Sequence, residues 1–189
     1  MGFKWSEVQI LSPRPALLEG VGCVCPTPCF CQGPHQRRAM NELPDIVPQE
    51  LRDVALGMAI TAEISRSDQL LLRPLPAGQV RVVAQAQPHS ISPLHADNLI
   101  ERTWINRDAP VILDAVKKCK RVRAHRDLPG GAPVMQDVRP IFSHDGRLIG
   151  LLSFETSLIQ LERHRQRHPS FRRTVEWIKT MCVRGELAG

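Results

Sequence analysis

The stretch from Ala132 to Ser157 constrains this chain more than any other. Two β-rich runs flank Ser143-His144-Asp145-Gly146, and Asp-Gly is a pair that supplies the positive φ angles of a tight hairpin. The first run carries Val134, Val138 and Ile141. The second carries Leu148, Ile149, Leu151, Leu152 and Phe154. That second run is too continuously apolar for a half-exposed strand. It is expected to be central and covered on both faces.

A length of 189 residues holds one ordinary domain plus tails, and an apolar content of 42% is enough for a core. Aromatics make up 4% and tyrosine is absent, so the core must be mostly aliphatic. No apolar run approaches the length that spans a bilayer. The segment Leu17 to Val24 is broken by Glu19 and does not read as a signal peptide, and Gly20 stands where a lipoprotein site at Cys23 would want an aliphatic residue. The expected compartment is the cytoplasm. The net charge of +6 is compatible with nucleic-acid contact. The basic excess lies in Arg163, Arg165, Arg167, Arg172 and Arg173, but no aromatic is interleaved there to stack on bases, and Phe171 suits a core position. A solvated helix face and loop is the expected reading. A small basic nucleic-acid-associated regulator is kept as the alternative.

Composition changes at Met40. Before it lie Cys23, Cys25, Cys29 and Cys31, which are four of the 6 cysteines, and no hydrophobic period. Their C-x-C-x3-C-x-C spacing departs from the C-x2-C of zinc knuckles, and Pro26 and Pro28 remove amide donors, so neither a metal site nor a disulfide framework is expected. Glu7 to Pro15 can be back-translated into the stem and TTCAAAT loop of a transfer-RNA T-arm ending in CCA. The expectation is that residues 1–39 are an unstructured tail or arise from a misassigned start, with the natural start at Met40.

From Met40 the elements read in order. Pro48 to Ser65 is a helix, with Leu51, Val54, Ala55, Met58, Ala62 and Ile64 as its apolar stripe. Gln69 to Arg73 and Gln79 to Gln87 form a hairpin across the turn Pro74 to Gly78. On the second strand, Val80, Val82, Ala84 and Ala86 are expected on one face. His89 to Asn98 is a loop and Leu99 to Ile105 a strand. Asp108 is the expected N-cap of a helix with Val111, Ile112, Ala115 and Val116 buried. Lys120 to Arg123 is a short edge strand, and Arg126 to Gly131 a loop leading into the 132–155 hairpin. A last helix runs from Ser170 to Arg184, with Phe171, Val175, Ile178 and Met181 on one face and Gly185 as its stop. The whole gives an α+β architecture, an antiparallel sheet flanked by helices in the manner of GAF and PAS sensors.

The sequence offers little for catalysis. No phosphate-cradling G-x-x-x-x-G-K-[ST] run exists, and Gly130-Gly131 suits a plain turn. Cys119 and His125 lack a third orienting group. His89, His95 and His144 sit in loops or turns without ligand partners, and Pro169 disfavours one continuous helical face for His164 and His168. No acid, base and nucleophile come together, so no catalytic residue, metal or cofactor is expected.

The ordered set Pro140, Ile141, Gly146, Ile149, Leu152, Glu155 and Thr156, then an apolar helix ending at Gly185-Glu186-Leu187, resembles the N-terminal GAF-like sensor domain of cytosolic two-component histidine kinases of the PdtaS type. Leu70 to Leu72, Val82 to Gln85 and Ala109-Pro110-Val111 fit in order, so the resemblance covers about residues 43–187. It implies a GAF-like domain over 40–160, a basic linker and signalling helix over 161–189, and output through a PAS domain and kinase core in cis or in trans. The chain departs from the family plan in carrying no phosphoacceptor-helix segment or ATP-lid glycine motif. The implied partners are a small-molecule ligand and a second copy of the chain. A pocket of this fold lies between the sheet and the loop joining its early and middle strands, here 88–107. Trp104, Arg102 and Asn98 are the candidate ligand contacts, Trp104 as a stacking surface and Arg102 as an anion partner.

Overall fold

The computed structural model describes residues 47–105, 107–128 and 131–188. The expectation for residues 1–39, cysteines included, lies outside the described residues. Helix α1, Gln49–Ser65, starts behind Pro48 and ends at Arg66, whose φ of 49° turns the chain out of the helix. It buries Leu51, Val54, Ala55, Met58 and Ala62. Strands β1 (Asp68–Leu75) and β2 (Gln79–Ala86) follow, then β3 (Thr103–Trp104), helix α2 (Pro110–Lys118), β4 (Val122–Asp127), β5 (Pro133–Phe142) and β6 (Leu148–Ser157). Helices α3 (Leu158–Arg165) and α4 (Pro169–Val183) end the chain. The strands form one antiparallel sheet in the order β3-β2-β1-β6-β5-β4.

Strand β6 lies at the centre between β1 and β5, and residues 151–156 are all buried. Its alternation divides the core. Leu152 and Phe154 join Leu71, Ile141 and Val83 beneath α1. Leu151 faces the other way, with Leu70, Leu72, Val80, Val82 and Val138 beneath Ile112, Leu113 and Ala115 of α2. Gly150 lets α1 sit close to this strand. A Cβ built there would lie 2.6 Å from Leu51 Cδ2 and 3.2 Å from the Leu72 carbonyl oxygen.

Several boundaries differ from the sequence reading for physical reasons. A register shift between Leu71 and Leu72 makes Val83 an extra residue in β2. Val80 and Val82 therefore face α2, while Ala84 and Ala86 face α1, so the expected single face is split. In the β5–β6 turn only Gly146 takes a positive φ, 80°. Its N–H donates to Ser143 O at 2.9 Å and the pairing shifts between Ile141 and Phe142, so the turn spans the expected Ser143 to Gly146 but needs a positive φ at Gly146 and not at Asp145. The expected strand Leu99 to Ile105 shrinks to Thr103–Trp104, because Leu99 to Arg102 fold into a turn closed by Arg102 N–H to Leu99 O at 3.0 Å. Ala109, not Asp108, caps α2, and Asp108 instead accepts from Ile105 N–H. Strand β4 runs on to Asp127, where a loop was expected, through a full ladder with β5. Helix α3 occupies part of the expected linker, capped by Ser157 Oγ accepting from Gln160 N–H at 3.3 Å. The apolar stripe of α4 turns toward its own chain: Val175 and Cys182 are buried, while Phe171, Ile178 and Met181 are half-buried.

Candidate ligand-binding site

On the α2 face the sheet changes character along its length. Apolar at one end, it carries Ser153 and Glu155 of β6, Gln136 of β5 and Asp68 of β1 at the other, all buried. A charge this deep needs partners. Glu155 has two: Gln136 Nε2 donates to Oε1 at 2.6 Å, and His95 Nε2 lies 2.5 Å from Oε2. Gln136 Nε2 also reaches Ser153 Oγ at 3.1 Å.

His95 belongs to the segment 87–102, which crosses this end of the sheet like a strap. Asp68 Oδ2 accepts the Leu94 N–H at 3.0 Å and the His95 N–H at 3.4 Å. Gln87 Nε2 donates to the His95 carbonyl at 2.6 Å. Gln85 Oε1 accepts the Leu99 N–H at 2.8 Å, and Glu101 N–H donates to Val82 O at 2.8 Å. The strap thus exchanges its backbone groups with strand side chains and with the β2 edge, which satisfies an irregular segment that no ladder covers.

Burial alone would lower the His95 pKa. The hydrogen bond that His95 donates to Glu155 and the charges of Glu155 and Asp68 outweigh it, against opposition from Arg126, and hold the imidazole pKa above its ordinary range. For Asp68 burial prevails over the hydrogen bonds from Leu94, His95 and Gln87, and its carboxyl titrates above the usual range.

Strap, sheet and the β4 end enclose a cavity of about 420 Å³, within the range of small-molecule pockets. Glu155 and His95 form its floor. Leu99, Trp104 and Leu128 give apolar walls, and Arg102, Arg107 and Arg126 stand around it with Asp108 and Asp127. Two of the three expected contacts line it. Trp104 is half-buried on the short edge strand, and Arg102 is exposed beside Asp97 at 3.4 Å. Asn98 does not line it; its Oδ1 accepts from Ile100 N–H at 2.9 Å and shapes the strap's own turn. The sequence reading missed Glu155, Arg126 and the true setting of His95. Glu155 had a signal: a carboxylate in an otherwise apolar strand, two and four positions from Ser153 and Leu151 and so on their face. Arg126 was assigned to a loop.

The remaining histidines take other roles. His89 contacts Glu63, whose carboxylate accepts the His89 N–H. His164 Nε2 donates to Ser65 O at 2.8 Å, tying α3 to the end of α1, and His168 caps α4. Cys119 is exposed and donates to Val116 O.

A second polar set lies on the opposite face, under α4. Arg121 grips Asp137 through two bonds of 2.7 Å, and Arg139 bonds Asp137 at 2.9 Å. Both arginines reach Glu176 of α4, at 2.7 and 2.6 Å. Burial would raise the Asp137 pKa, but the bond from Arg121 and the charges of both arginines carry it below the usual range. Arg139 stacks on Phe154 at 5.2 Å, and Lys179 Nζ lies 4.7 Å from the same ring. Burial pushes the Lys179 pKa down to about 8.

A central antiparallel sheet with helices on both faces, and a strapped cavity beside α2, are the makings of a GAF-type sensor domain. The family profile described as "Histidine kinase PdtaS, GAF domain" matches residues 38–174, and the chain belongs to that family. Among solved structures, the chain is similar to the C-terminal domain of a putative transcriptional regulator from Vibrio cholerae, at 10% identity and a TM-score of 0.53, over 75% of this chain and 98% of that one. It is also similar to an IclR transcriptional regulator from Alicyclobacillus acidocaldarius, at 11% identity and 0.51, over 83% and 74%. The sensor region of a sensor histidine kinase aligns at 15% identity and 0.49, over 74% of this chain and 48% of that region. No curated protein matches.

Proposed function

We propose that this chain is the signal-input domain of a two-component system. A small molecule enters the strapped cavity, and α4 passes the change to a PAS or kinase module in cis or in trans. The observation that carries the reading is the floor of the cavity: a buried carboxylate whose Oε2 is paired by His95, which the strap delivers to it. An occupant that moves the strap must disturb β6 and β5 together. Gln136 and Asp137 are adjacent on β5 and point to opposite faces, one to Glu155 and the other to the arginines that hold Glu176. The cavity and the output helix therefore share one strand. A second copy of the chain is a further partner, and the exposed Trp177 on α4, 68% accessible, is available to it.

Hydrogen exchange of the full chain against a metabolite library tests this. A binding compound is expected to protect 88–108 and to change exchange in 169–183. Binding that protects neither segment overturns the proposal.

A further inference from the structure

The charge around the cavity is unequal, and the inequality identifies the occupant's chemistry. Glu155 adds no net negative charge, because its Oε2 is ion-paired at 2.5 Å with His95, which is held as the imidazolium. Three guanidinium groups then face two carboxylates, Asp108 and Asp127. Arg102 is partly neutralised by Asp97. The guanidinium groups of Arg107 and Arg126 make no hydrogen bond or ion pair with another described residue, and Arg126 is half-buried beside the His95 imidazole. A half-buried guanidinium with a fork of donors and no acceptor is a ready receptor for a planar carboxylate. Trp104 offers a flat face, and Leu99 and Leu128 line the same space with aliphatic surface.

Resting on the reading of this cavity as the ligand site, we infer that its occupant is a small monocarboxylate with a flat apolar body. The carboxylate meets Arg126 and Arg107, and the body lies against Trp104. A cation of the same shape is repelled by the three arginines. A neutral analogue leaves the Arg126 fork unanswered. A dianion such as a phosphate monoester brings its second charge toward Asp108 and Asp127.

Four probes of one shape separate these cases: benzoate, benzamide, benzylamine and phenyl phosphate, titrated into the full chain by calorimetry. The NMR signal of the Trp104 indole, assigned through Trp104→Phe, reports occupancy of the cavity. Benzoate is expected to bind best and to shift that signal. Arg126→Gln is expected to weaken benzoate by roughly ten- to hundredfold, the equivalent of one charged hydrogen bond, to leave benzamide unchanged, and to be partly rescued in Arg126→Lys. An unchanged unfolding midpoint in these variants shows that the fold is intact, and the wild-type ranking of the probes stands independently of them. Benzamide, benzylamine or phenyl phosphate binding as well as benzoate while shifting Trp104 overturns the carboxylate class and leaves the cavity as the site. Benzoate binding that ignores both Trp104 and Arg126 places the site elsewhere and overturns both readings. Failure of all four probes to bind overturns the class, while the library exchange experiment still decides the site.

Discussion

Glu155 and His95 show how one buried pair can set the behaviour of a whole segment. Glu155 is 1% exposed. Removing its carboxylate in Glu155→Ala strands the His95 ring and leaves the Gln136 amide only Ser153 Oγ, and it is expected to cost about 3–5 kcal/mol in denaturant unfolding, as breaking a buried pair does. The pair also carries a pH signature. The groups facing His95 are Glu155, Asp68 and, in opposition, Arg126, and the net effect is a raised folded pKa. A raised value means that the folded state holds the proton more tightly than the unfolded one. The stabilisation is complete below the ordinary imidazole pKa of about 6.5 and is lost as pH rises through the higher folded value. Asp68 is raised too, so its own contribution fades in a separate, more acidic window above the ordinary carboxylate range. Thermal midpoints should therefore fall as pH climbs from the ordinary imidazole range upward, and His95→Asn should flatten that part of the profile. An unaltered slope in the variant would mean that the strap is not held by a charged His95.

At the level of elements, the sequence was clearest where one physical signal dominated. The continuous apolar run of β6 required a covered central strand, and Leu151 and Leu152 meet helices on opposite faces. Leu151→Ala is expected to cost about 2–5 kcal/mol, measurable as a lower denaturation midpoint. Gly150→Ala is a stricter test of the α1 contact. Its new methyl would meet Leu51, a fully buried side chain, and the Leu72 carbonyl, so about 1–3 kcal/mol of destabilisation is expected from overpacking. Three features were not legible, each because a non-local partner decided it. Alternation along β2 gave no sign of the extra residue at Val83, since a bulge is set by the neighbouring strand's register. The short edge strand read at Lys120 to Arg123 was ended too early, because Arg126 and Asp127 look like the start of a loop, yet pairing with β5 carries the strand to Asp127. Basic composition hid α3, whose cap, Ser157, is the last residue of β6.

For the molecule as a whole, Trp104 and Arg102 were reachable because the family resemblance placed the pocket near 88–107. The cavity floor and Arg126 come from β6 and β4, far along the chain, and only the closed sheet brings them under the strap. The link from that floor to the Asp137 cluster under α4 was equally hidden, because it depends on consecutive residues of β5, Gln136 and Asp137, serving opposite faces. This route yields a final prediction. Asp137 accepts from both Arg121 and Arg139, and the arginines in turn hold Glu176. Glu176 is half exposed, so Glu176→Gln should change global stability by about 1 kcal/mol or less. Asp137→Asn instead leaves the buried Arg139 without its one buried carboxylate partner among the described residues and should cost on the order of 3 kcal/mol. The folded Asp137 pKa is depressed, so this contribution is present above the ordinary carboxylate range and is lost as pH falls through the lower folded value. Both substitutions should loosen the same object. Amide exchange across the middle of α4 should rise in each, while the NMR signals of the strap stay in place in the absence of ligand. If α4 keeps its wild-type protection in both variants, the ionic cluster does not fasten the helix, and the proposed route through β5 is overturned.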